Sequence, residues 1–213
     1  MIRGYYFITD EGLSRAGNVS DVKNAVQAGV SVVQFRSKKG DTRELFEEAV
    51  KLRKICKEIM FIVNDRVDIA LAAGADGVHL GQEDMPPGVA RELIGQDKII
   101  GVTVHNLKEA AAALDSGADY LGVSPVYSTS TKKDAGAPCG VSLIEEIKKI
   151  SKVPVAAIGG ITLENAGDVI SAGADAVCAI SAVVSAGNVE KQIKKFQSLF
   201  SAVEMFAVSE NLK

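Results

Sequence analysis

The sequence predicts an α/β protein built as a single (β/α)8 barrel of the TIM type, and three observations carry that prediction. First, a helix-to-strand unit recurs four times: AGVSVVQFRSK (28–38), AGADGVHLGQED (73–84), SGADYLGVSPVYSTSTK (116–132) and AGADAVCAISA (172–182). Each copy places a glycine just past a helical pattern, a common helix stop, and runs into a short apolar strand with a polar far end. Second, four further strand-like runs lie between the copies, making eight in 213 residues. Near-continuous apolar strands alternating with amphipathic helices imply a parallel sheet covered by helices, and eight short units fit a closed barrel. Third, an open doubly wound sheet would want a GxGxxG after its first strand, and the chain has none there. No composition shift marks a boundary, so one domain is expected over 1–213, with the barrel at about 4–205 and a tail over 206–213.

In chain order, YYFITD (5–10) is the first strand and the first repeat copy supplies the second. TRELFEEAVKLRKICK (42–57) has apolar residues at three- and four-residue spacing and reads as a helix. MFIVND (60–65) is the third strand, the second copy gives the fourth, and IIGVTV (99–104) is the fifth. LKEAAAAL (107–114) is helical, and YLGVSPV (120–126) is the sixth strand. That strand empties into STSTKKDAGAP (128–138), all hydroxyls, charges and bends, and connections of this length are usually functional or disordered. VPVAAIGGI (153–161) and the last copy give strands seven and eight, and VEKQIKKFQSL (189–199) is a final helix.

Apolar residues make up 47% of the chain, charged residues 24%, and the net charge is −3, which disfavours both disorder and a nucleic-acid partner. No run approaches the roughly 18 apolar residues of a membrane span, and MIRGYYFITDEG turns acidic too early for a signal peptide. A cytoplasmic protein acting on small molecules is expected, with homo-oligomer formation left open. Cys56, Cys139 and Cys178 share no CxxC spacing, which argues against a disulfide framework or a zinc site.

In a barrel of this kind the strand ends meet at one face, where active sites are built. Asp65 and Asp84 close consecutive strands, and two nearby carboxylates suit Mg²⁺ completed by substrate phosphate oxygens. The plainer reading makes each a helix cap, Asp84 ahead of Pro86 and Asp65 ahead of 66–73. Arg36 and Lys38 tip the balance toward a phosphate-bearing ligand. They stand two apart at the end of strand two, which turns both to one side. An arginine flanked by VSVVQF is also costly to bury without an anion. A second anion site is expected where AIGGI and AIS end strands seven and eight, although glycine pairs alone could simply relieve crowding. His79 and His105 read as orienting or packing residues.

The segments VQFRSK, IVNDRVDIALAAGADGVHLGQEDM, GADYLGVSPVYSTSTKKD and VPVAAIGGITLENAGDVISAGADAVCAISA resemble the thiamine phosphate synthase family, in order and across nearly the whole chain. The resemblance implies a transferase of thiamine biosynthesis that joins hydroxymethylpyrimidine diphosphate to hydroxyethylthiazole phosphate and releases pyrophosphate, with one Mg²⁺ per subunit. In that family pyrophosphate leaves first, and the thiazole nitrogen traps the resulting pyrimidine-methyl cation.

By the same resemblance, Arg36, Lys38 and Asn64 hold the diphosphate, Asp65 and Asp84 hold the metal, and Gln34 and Tyr6 line the pyrimidine. Thr129, Thr131, Gly160, Ile180 and Ser181 surround the thiazole phosphate, and Lys132 reaches the pyrophosphate from a loop that closes as a lid. The implied catalytic residues are Arg36, Lys38, Asn64, Thr103 and Lys132. Two departures stand out. Thr103 replaces the serine usual in GvS, keeping the hydroxyl and adding a methyl, and Ser124 replaces glycine before the proline of strand six. Related thiazole tautomerases tend to carry a histidine near that strand end and to lack the second aspartate and the T-x-T-K loop, so the synthase reading is preferred to a tautomerase or a non-catalytic binding barrel.

Overall fold

The structure is a computed structural model of the chain and describes residues 1–129, 131 and 136–210. Eight parallel strands close into a barrel in chain order: β1 (Gly4–Ile8), β2 (Val32–Phe35), β3 (Met60–Asn64), β4 (Gly77–Leu80), β5 (Ile99–Val104), β6 (Tyr120–Val123), β7 (Val155–Ile158) and β8 (Ala176–Cys178). β8 returns to β1, pairing Ala176 with Gly4. The crossovers are α1 (Asn18–Gln27), α2 (Thr42–Ile55), α3 (Val67–Ala72), α4 (Pro87–Ile94), α5 (Leu107–Asp115), α6 (Ser142–Ile150) and α7 (Ala166–Ser171). The short α8 (Ile180–Val184) and the long α9 (Val189–Glu210) follow β8. Among the described residues no helix is long and apolar enough to cross a membrane.

Strand alternation sorts the core into two layers. Outward residues such as Tyr5, Phe7, Val33, Phe61, Val63, Ile100 and Leu121 pack against the helices in one large cluster. Inward residues Tyr6, Ile8, Val32, Ile62, Tyr120, Ala156, Ala176 and Cys178 fill the barrel itself. The interior is thus a packed plug below and a polar mouth above, because the inward positions nearest the strand ends are Gln34, Asn64, His79 and Thr103.

The repeated GAD sequence acquires a physical role at the opposite end. Asp76 Oδ2 accepts from Phe61 N at 2.8 Å, Asp119 Oδ2 from Ile100 N at 2.7 Å and Asp175 Oδ2 from Val155 N at 2.7 Å. Each carboxylate also meets a cation from a neighbouring helix or its end: Arg53 at 3.2 Å, Arg91 at 2.5 Å and Lys148 at 2.8 Å. In the first copy Ser31 takes the aspartate's place and bonds the backbone of Arg3 in both directions. One device therefore pins the start of a strand to its neighbour at three places around the barrel bottom.

Several strands are shorter than the sequence patterns suggest. β2 stops at Phe35, so Arg36 and Lys38 lie beyond it and strand alternation does not orient them. Instead the buried Thr9 clamps that exit, its hydroxyl donating to Arg36 O at 3.1 Å and accepting from Arg36 N at 2.9 Å. Ile180 and Ser181, expected at the end of strand eight, begin α8. α9 extends well past the helical pattern at 189–199.

Candidate active site

The strand ends surround a cavity of about 370 Å³, within the usual range for small-molecule sites. Its floor is the polar layer of the barrel. Gln34 donates through Nε2 to Tyr6 Oη at 2.8 Å, Tyr6 Oη and Tyr120 Oη lie 2.8 Å apart, and His79 bridges Tyr120 Oη and Thr103 Oγ1 at 2.8 Å each. Burial pushes both phenols well above their ordinary range, with Cys178 adding to the shift on Tyr6 and the Tyr6 phenol to that on Tyr120, so both are neutral hydroxyls. Cys178 lines the same floor, and burial raises its thiol strongly.

Charge gathers on the wall formed by the ends of β2, β3 and β4, where Arg36, Lys38, Asn64, Asp65 and Asp84 all face the cavity. Lys38 Nζ donates to Asp65 Oδ2 at 2.6 Å, and Arg36 lies 3.7 Å from Asp10. Asp65 holds a left-handed backbone (φ 60), rare for a residue with a side chain, and its N–H donates to His79 O at 2.8 Å. Asp84 Oδ2 accepts from Gly81 N at 2.6 Å. Burial first, and Asp65 beside it second, raise the Asp84 carboxyl above the ordinary carboxylate range. Neither aspartate caps a helix: the N-cap positions of α3 and α4 are Arg66 and Pro86, with no side-chain cap bond at either. The capping explanation therefore does not hold; the two acids lie against each other, and Lys38 donates to one of them.

The facing wall carries Thr129, Thr131, Gly159, Gly160, Ile180 and Ser181. Both glycines are required by close packing. Gly159 and Gly160 have φ of 105 and 62, and a Cβ on Gly160 would sit 2.4 Å from Ser128 O. The chain after β6 runs hard against them, with Tyr127 N donating to Gly159 O at 2.9 Å. Lys132, expected at the pyrophosphate, lies outside the described residues. Tyr6, Gln34 and Thr103 complete the set at the floor, so every other residue singled out from the sequence reaches this one cavity. Tyr120 was not anticipated, because YLGV reads as any buried strand; the pointer was an aromatic at an inward position across from a glycine, Gly101.

Comparison with known proteins gives a consistent result. The family model described as thiamine monophosphate synthase matches residues 5–183. A thiamine-phosphate synthase of Methanosarcina barkeri is 50% identical over 193 residues, covering 90% of this chain and 88% of the relative. One from Chloroflexus aurantiacus is 46% identical, covering 93% of each. The solved thiamine phosphate pyrophosphorylase of Pyrococcus furiosus superposes with a TM-score of 0.87 at 41% identity, covering 94% of this chain and 96% of that one.

Proposed function

The chain belongs to the thiamine monophosphate synthase family, and from that premise we propose that it joins hydroxymethylpyrimidine diphosphate to hydroxyethylthiazole phosphate, forming thiamine phosphate and releasing pyrophosphate. The observation that carries the reading is the pairing of Asp65 and Asp84 beside Lys38 and Arg36 on one wall of the cavity, with a glycine- and hydroxyl-lined wall opposite. One wall suits a diphosphate with its metal and the other a monophosphate, which is what two phosphorylated substrates require.

The donor set fits Mg²⁺. Two acids meet on one wall, and no group of three or more acidic, imidazole or thiol side chains gathers among the described residues. Magnesium is commonly held by one or two carboxylates with the remaining positions taken by water and substrate phosphate. Asp65 and Asp84 would hold it, and when bound it would neutralise charge on the departing diphosphate. Lys38, which donates to the Asp65 carboxylate, would also supply positive charge to the phosphate oxygens.

The remaining steps rest on the protein's own groups. Arg36 and Asn64 would orient the diphosphate so that its bridging oxygen leaves in line, stabilised by fixed positive charge rather than by proton transfer. An aminopyrimidine stabilises the cation left behind by its own ring electrons, so no nucleophilic side chain is called for. The neutral floor of Gln34, Tyr6 and Tyr120 is an apt bed for that ring. Thr129 and Thr131 would hold the thiazole phosphate with its nitrogen toward the cation, and the loop carrying Lys132 would exclude water that could trap the cation as an alcohol.

The test is direct. Purified protein with both substrates is expected to form thiamine phosphate and pyrophosphate in equal amounts with Mg²⁺ and neither product with EDTA. Folded protein that binds both substrates yet forms no product in Mg²⁺ would overturn the reading and favour a tautomerase or a binding barrel.

A further inference from the structure

The hydrogen-bonded floor has a direction, set by the Gln34 amide at one end and by the cost of leaving a buried phenol hydrogen unpaired. Four hydrogen bonds join Gln34, Tyr6, Tyr120, His79 and Thr103 in a single file across the barrel. A carboxamide nitrogen can only donate, so Tyr6 Oη accepts from Gln34. Tyr6 is fully buried, so its one phenol hydrogen goes to Tyr120 Oη rather than stay unpaired, and that of Tyr120 then goes on to His79 Nδ1. A neutral imidazole that accepts at Nδ1 carries its hydrogen on Nε2, which must donate to Thr103 Oγ1. Five donor groups serve four links, and the group left over is the hydroxyl of Thr103.

We propose that Tyr120 and His79 are positioning residues that, through a fixed Nε2–H tautomer of His79, present the Thr103 hydroxyl to the cavity as a hydrogen-bond donor aimed at an acceptor atom of the bound substrate. The proposal rests on the synthase reading for the identity of that substrate but not for the tautomer. Space for the device is built into the strands. A Cβ on Gly101 would lie 2.0 Å from Tyr120 Cζ, and one on Gly122 would lie 3.0 Å from His79 Cε1. Two inward glycines therefore make room for the two rings. Gln82 Nε2 donates to Thr103 O at 2.6 Å and fixes the same residue's backbone, so hydroxyl and main chain are held from opposite sides. Tyr120 is fully buried and touches the cavity only from below, which suits a residue that acts through another.

The decisive measurement needs no substrate. Two-bond nitrogen–proton correlation spectra of the ¹⁵N-labelled protein identify which ring nitrogen carries hydrogen. The chain has two histidines, and His105→Gln assigns the signals. The expected spectrum for His79 is the neutral Nε2–H tautomer. An Nδ1–H tautomer, a charged ring or rapid averaging would overturn the proposal, since each reverses or breaks the file. Tyr120→Phe is expected to lose the tautomer preference. In the synthase assay it should lower kcat about 10-fold or more while each KM moves less than about 3-fold, as for an interaction expressed in the transition state. An unchanged kcat in Tyr120→Phe would also overturn the proposal. Absence of turnover in the wild-type protein would count against the synthase reading, and the tautomer would still be decided by the spectrum.

Discussion

Asp119→Ala should destabilise the barrel without touching its mouth. The Asp119 carboxylate holds Ile100 N at 2.7 Å and Arg91 at 2.5 Å. Ile100 is fully buried, so deleting the acceptor strands an N–H where water cannot replace it, at a cost of about 1–3 kcal/mol. Arg91 keeps the carbonyls of Gly95, Lys98 and Gly117, and Asp119 is more than a third exposed, so loss of the ion pair adds only about 0–1 kcal/mol. The sum is about 1–4 kcal/mol, or a Tm lower by about 2–16 °C for a chain of this size. Asp119→Asn retains an acceptor oxygen and should lose about 1 kcal/mol or less. Urea unfolding of the three proteins, followed by circular dichroism, measures both differences. An alanine variant no less stable than the asparagine variant would refute the reasoning, because the buried N–H would then not be what the carboxylate protects. Turnover per folded molecule should be unchanged.

On the proposed function, Asp84→Asn should lower activity by about 100-fold or more, since one of the two carboxylates proposed to hold Mg²⁺ is lost. It should not lower stability. Burial and Asp65 raise the Asp84 carboxyl, so the folded state binds that proton more tightly than the unfolded state. Stability therefore falls as pH rises from the ordinary carboxylate range through the raised value, and the penalty is complete at neutral pH. In metal-free buffer the asparagine variant should thus unfold at equal or higher urea concentration than wild type at pH 7, with the gap closing in acid; a lower midpoint at pH 7 contradicts the assignment. Gly160→Ala should lose about 2 kcal/mol or more in the same assay, because a Cβ would lie 2.4 Å from Ser128 O on a left-handed backbone, and a neutral effect would mean the loop after β6 moves aside freely. Burial pushes the Cys56 thiol up to about 12 and raises Cys178 and Cys139 as well, so a thiol reagent at pH 8 should react slowly with native protein, first at the half-buried Cys139, and reach all three thiols in denaturant. Fast labelling of Cys56 in the native state would contradict its burial.

The barrel and most of its mouth were legible in the residues themselves. A helix-to-strand unit repeated through the chain can bury its apolar faces only by stacking neighbours in order, and closure gathers every strand end at one face. That is why Arg36, Asp65, Asp84 and Gly160, scattered over the sequence, could be assigned to one place before any coordinate was known. Periodicity is a local property, however, and it stops where the chain leaves the strand. Strand alternation could not orient Arg36 and Lys38, because β2 ends at Phe35 and a buried threonine from the β1 end decides their direction. It could not rule out capping for Asp65 and Asp84 either, since that depends on where the next helix begins and on which groups arrive from other parts of the chain. The file from Gln34 to Thr103 lies furthest from sequence logic: its members sit on five different strands, and only closure of the sheet brings their side chains within hydrogen-bonding distance. Sequence determined which chemical groups face the mouth; tertiary structure decided which of them touch, because contact across a barrel is set by register and closure rather than by neighbours along the chain.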